Sequence, residues 1–96
     1  MKYDEFKSAI SSPAPPAEVS IYLKALWYDA KNDWEQSHNI IQEYDTKTAF
    51  WIHAYLHRKE GDPGNASYWY QKAGRKMPGY DLEKEWEEIV KQLLDQ

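Results

Sequence analysis

The sequence predicts an all-α fold, and three observations carry that prediction. Apolar residues recur at helical spacing in successive segments. The breaks "SSPAPP", "KND", "YDT", "GDPGN" and "MPGYD" concentrate the Pro, Gly and Asp that interrupt or cap helices. No segment alternates apolar and polar residues with period two for long enough to argue for a strand. Ninety-six residues fit one domain.

Residues 1–14 form an N-terminal arm. Tyr3, Phe6 and Ile10 are spaced for a short helix within residues 1–11. The prolines that follow break it, because proline lacks an N–H and pushes its predecessor toward extended geometry. Pro15 or Pro16 can open the next helix, where the missing N–H has no cost. That helix runs to about Lys31 and carries Val19, Tyr22, Leu23, Leu26 and Trp27.

Asp33 has the short carboxylate of an N-cap, and Gln36 three residues on gives a box-like pattern. The helix it opens runs to about Glu43 and completes a first hairpin over residues 15–44. Asp45 or Thr46 caps the next helix, from about 47 to 60. Gly61 suits its C-terminus. Asp62 then caps and Pro63 takes the first helical position of a helix to about Lys76. These two helices make a second hairpin over residues 45–78. Within residues 79–96, Asp81 caps a last helix from 82 to the end, with Leu82, Trp86, Ile89, Val90 and Leu93 as one apolar stripe.

Composition narrows the function. Aromatic residues are 16% of the chain, with five Trp and eight Tyr, which supply core area to a small domain. With no cysteine there is no disulfide framework and no thiolate metal site. The N-terminus has no signal-peptide pattern, and no apolar run approaches the roughly 20 residues that span a bilayer. A cytoplasmic protein with no membrane partner is expected. No basic stripe invites nucleic acid. The net charge of −4 gathers at the end: residues 81–96 hold six acids and two lysines, read as a solvated helix face. Five cations (Arg58, Lys59, Lys72, Arg75, Lys76) against Glu60 and Asp62 give a +3 cluster that can meet an acidic partner or that last helix.

The two hairpins superpose at an offset of 29 residues. Asp33 maps on Asp62, Ala25 on Ala54, Tyr22 on Trp51, Tyr28 on His57, Ser37 on Ala66 and Ile41 on Tyr70. Small residues at matched heights let helix axes approach closely. Residues 50–78 place Phe50, His53, Ala54, His57, Ala66, Tyr70 and Pro78 where the tetratricopeptide pattern has its signature positions, with Ala73 at the small position late in the second helix. Over about residues 16–78 the chain therefore resembles tetratricopeptide repeats, although its period is shorter than their usual 34. "HAYLHRKEGD…NASYWYQKAGR" also resembles small bacterial proteins, a likeness that implies no activity.

The resemblance implies a five-helix, tetratricopeptide-like array of antiparallel hairpins with a C-terminal capping helix. It also implies an inner groove, lined by Tyr22, Leu26 and Asp29 of the first hairpin and by Trp51, Tyr55 and Arg58 of the second. Aromatics and Arg dominate binding hot spots, so Tyr22, Leu26, Trp51, Tyr55 and Arg58 are the expected contacts for a protein or peptide partner. Two arrangements are open: the groove is free, or the last helix with Trp86 fills it.

His53, His57 and Glu60 share one helical stripe at i, i+4 and i+7, a spacing that can chelate a divalent ion. No HExxH motif or fourth ligand accompanies them. Buried rings satisfied by Tyr70, Tyr68 or Glu60 are the competing reading. No phosphate loop or oxyanion hole is visible. The sequence therefore points to a non-catalytic interaction or scaffold module without a cofactor. A small-ligand or metal-dependent protein centred on His53, His57, Arg58 and Glu60 is the alternative.

Overall fold

The longest hairpin organises the rest. In the computed structural model, which describes residues 1–95, α4 (Lys47–Lys59) and α5 (Pro63–Ala73) pack along their lengths. A shorter hairpin of α2 (Ile21–Ala30) and α3 (Trp34–Ile41) lies against α4. The last helix, α6 (Leu82–Leu94), crosses both α2 and α4, and α1 (Tyr3–Ser8) with its 3₁₀ extension Ala9–Ser11 closes on α6. Every element among the described residues is helical, as expected of an all-α chain. The anticipated run of the last helix to residue 96 ends outside the described residues.

Side-chain caps set the helix starts. Asp33, Thr46, Asp62 and Asp81 each accept a hydrogen bond from the backbone N–H three residues on. The expectation at the proline cluster is corrected. Helix α2 opens only at Ile21, where Ser20 accepts from the Leu23 N–H. A proline is tolerated in a first turn, but it supplies no acceptor for the free N–H groups, and Ser20 does. Helix α5 stops at Ala73 rather than Lys76, because Gly74 turns left-handed with φ 74°.

The two hairpin turns are built alike. Asn32 (φ 65°) and Gly61 (φ 85°) both adopt the left-handed conformation that ends a helix. The next residue sends its N–H back five positions, Asp33 to the Tyr28 carbonyl at 2.9 Å and Asp62 to the His57 carbonyl at 3.0 Å. That same residue then caps the following helix. The 29-residue offset read from the sequence thus reappears in backbone geometry. Small residues sit deep in both hairpins: Ala25, Ser37, Ala54 and Ala66 have no exposed surface.

Helix α6 occupies the inner face. Leu26, Trp51 and Tyr55 are at most 5% exposed, so they are core and not an open binding surface. Tyr22 is half-buried, its hydroxyl 2.8 Å from Thr46 Oγ1. Arg58 is pinned, donating to Glu85 Oε1 at 2.8 Å and to the Tyr80 carbonyl. Trp51 and Arg58 of the residues expected to line a groove donate to Glu85 of α6, and Trp86 of α6 donates to the Leu26 carbonyl at 3.0 Å. The physical reason for their burial is that α6 brings both an apolar stripe and an acid that these donors need. Glu85, expected on a solvated face, is wholly buried and accepts from Trp51, Arg58 and Tyr70. The N-terminal arm is likewise part of the core, with Phe6 fully buried 6.0 Å from the Trp86 ring.

Two substitutions test this packing. Ala66→Leu should overpack the α4–α5 hairpin and lower stability by about 1–3 kcal/mol, read as a reduced urea midpoint. Glu85→Ala leaves the Arg58 guanidinium and two hydroxyl or indole donors without their acceptor. It should lower stability by about 3–5 kcal/mol in the same measurement.

Candidate metal centre

Helix α3 runs antiparallel to α4, and this brings a third histidine to the two read from the sequence. His38 faces His53, and one turn away Trp34 meets His57, their rings 5.9 Å apart. The chain has three histidines, and all of them converge here. Ring centroids lie 4.7 Å (His38–His53), 4.8 Å (His53–His57) and 5.2 Å (His38–His57) apart. One nitrogen from each falls within 4.8 Å of the other two. The Nε2 atoms of His38 and His53 are 3.0 Å apart. Two nitrogens bound tetrahedrally to one zinc ion at about 2.0–2.1 Å would be roughly 3.3 Å apart. The observed spacing fits a shared proton and comes close to a shared ion.

The rings are held on both sides. Trp34 stacks on His38 at 4.8 Å and Trp69 on His53 at 4.0 Å. The Trp34 indole is itself anchored, donating to the Leu56 carbonyl at 2.7 Å. His57 Nδ1 lies 2.5 Å from Glu60 Oε1, which orients the ring and leaves Nε2 as its available nitrogen. Asn65 Nδ2 stands 3.5 Å from the same Nδ1. Glu60 and Asp62 make a second cluster with His57, also within 4.8 Å. His53 and His57 are buried and His38 is half-buried, so His38 marks the side open to solvent.

Burial and like charge determine protonation. Desolvation, then the other two histidines and Lys72, hold His53 down at about 4. Desolvation and His57 also lower His38, with Glu60 opposing. Near neutral pH these two rings are neutral, each keeping one N–H and one nitrogen lone pair, and the lone pair is what a metal requires.

Of the residues in the alternative metal reading, His53 and His57 come together, while Glu60 meets only His57, behind its ring and away from the shared point. The expected tyrosine partners do not take part: Tyr70 bonds Glu85 and Tyr68 is exposed. The expected groove residues Tyr22, Leu26, Trp51 and Tyr55 form no open site. His38 is the residue that periodicity within α4 could not supply. The signal for it was the short "EYDT" connection, which makes α3 and α4 antiparallel neighbours and sets His38 opposite His53.

Compared with protein-family models, curated proteins and solved structures, the chain matches none. No helix among the described residues is long and apolar enough to cross a membrane.

The depressed His53 value sets a pH dependence. The folded state resists protonation while the unfolded chain takes up a proton near pH 6.5. The stabilisation is therefore complete above about 6.5 and declines as pH falls toward 4. The expected loss across that window is about 3 kcal/mol. Urea unfolding in chelator at the two ends of the window checks it, and His53→Phe should flatten the slope.

Proposed function

We propose that this chain is a transition-metal-binding protein whose ligands are His38, His53 and His57. The observation that carries the reading is the convergence of all three histidines from two helices on one point. Three imidazoles suit zinc, nickel or copper and do not suit magnesium or calcium, which take oxygen ligands. Glu60 against His57 is the carboxylate–histidine arrangement that fixes ring orientation and raises ligand basicity. Three protein ligands leave a position for water or another small ligand, the pattern of open zinc sites. The sequence alone argued against a metal because ligands were missing, and His38 supplies one of them.

The hairpin pair is proposed to be tetratricopeptide-like. The repeated turn and the buried small residues at matched heights support that reading, with α6 as the capping helix. Because α6 lies along the inner face, the scaffold role would have to use another surface, and the metal reading is preferred.

Titration calorimetry with zinc tests the site. One-to-one binding with a Kd of about 1 μM or tighter is expected, weakened at least about tenfold in His38→Ala and lost in His53→Ala. Cobalt(II) absorption in the same variants reports the coordination. A Kd weaker than about 100 μM, or binding that survives His53→Ala, would overturn the assignment.

A further inference from the structure

A cavity of about 570 Å³ opens where the ends of α2 and α4 meet the start of α6 and the N-terminal turn. This is within the range of roughly 300–1,000 Å³ typical of small-molecule sites. Its apolar walls are Ile10, Ala30, Leu82 and Trp86. It shares no residue with the histidine cluster.

Part of the polar lining is held in place. Asp29 is 1% exposed, and its two oxygens accept from Lys59 Nζ at 2.8 Å and Tyr55 Oη at 2.7 Å. The Asp29 carboxylate is thus fully engaged and out of reach of solvent. It fixes the Lys59 ammonium at the cavity wall, where two of its three N–H donors are left over. Asn32 sits beside it in a left-handed turn fixed by its own N–H to the Asp29 carbonyl at 2.9 Å. Its side-chain amide makes no hydrogen bond to protein among the described residues. Lys7 lines the cavity from α1 and has no carboxylate within 4.0 Å among the described residues. Glu83 lines it too, equally without an ion-pair partner among the described residues.

We propose that this cavity binds a small amphipathic monocarboxylate, with its apolar part against Ile10, Leu82 and Trp86 and its head group on Lys59 and Asn32. Lys7 adds attraction for the anion. Glu83 repels a second carboxylate, so the class is monocarboxylates and not dicarboxylates. The preorganised ammonium is what distinguishes this cavity from a surface dent, because its ordering is already complete before a ligand arrives.

Decanoate is the probe, followed by ¹H–¹⁵N spectra of the full chain. Saturable shifts are expected at the Trp86 indole N–H, the Asn32 side-chain amide and the Leu82 backbone. Decylamine should produce no such shifts, and sebacate should bind at least about tenfold more weakly than decanoate. Lys7→Gln should weaken decanoate about threefold, and Ala30→Phe, which fills the cavity, should abolish the shifts. Lys59→Gln should weaken it about tenfold or more. Should that variant fail to fold for want of Asp29's partner, Lys7→Gln and Ala30→Phe carry the test. The proposal is overturned if decanoate gives no saturable shifts up to about 10 mM. Equal shifts with decylamine, or unchanged decanoate binding in both Lys7→Gln and Ala30→Phe, would overturn it as well.

Discussion

The Glu85 carboxylate is the contact on which the arrangement of helices depends. It has no exposed surface and takes hydrogen bonds from Trp51 and Arg58 of α4 and from Tyr70 of α5. Burying a charge is costly unless it is paired and hydrogen-bonded. These donors are equally costly to bury without an acceptor. Each side therefore requires the other. That mutual requirement seats α6 at one register, because a shift of one residue would put Lys84 or Trp86 among the same donors. A second buried carboxylate, Asp29, does the same between α2 and α4 through Tyr55 and Lys59. The apolar stripes supply most of the attraction, and the two acids determine which of the apolar packings is adopted.

The histidine cluster occupies a part of the molecule that these acids do not control. It lies between α3 and α4, walled by Trp34 and Trp69. Its rings are arranged by aromatic stacking and by Glu60, while the α4–α6 contact is arranged by charge. The two regions share α4, whose successive faces point alternately to them: His53 and His57 to one, Trp51, Tyr55 and Arg58 to the other. Eight of the thirteen residues of α4 are buried, which suits a helix enclosed on nearly every side.

Most of the fold was legible because it is written in short-range signals. Asp33, Thr46, Asp62 and Asp81 announce helix starts by the chemistry of a single side chain. The repeated turn was visible as Asn32-Asp33 and Gly61-Asp62. Ser20 was missed because three prolines nearby gave a stronger but less informative signal. Glu85 was missed because it sits in an acidic run, and its burial depends on donors 15 to 34 residues away. The candidate site was half legible. His53, His57 and Glu60 share one helix, so periodicity aligns them, whereas His38 arrives from a different helix whose rotation no local pattern fixes. The cavity beside Lys59 was not legible, since it is made of four segments that meet only in the folded chain.

The docking of α6 has a consequence for how the chain comes together in time. The α4–α5 hairpin forms from neighbouring segments, so its closure entropy is small. The Trp86-to-Leu26 bond spans 60 residues. Contacts so distant in sequence carry a larger closure entropy and slow folding. The face carrying Leu26, Trp51 and Tyr55 is covered only once α6 has docked. A chain in which α6 had not docked would present an aromatic cleft with Arg58 at its edge and no Glu85 to satisfy it. The bond that helps hold the molecule shut is also the side-chain hydrogen bond of greatest sequence separation among the described residues.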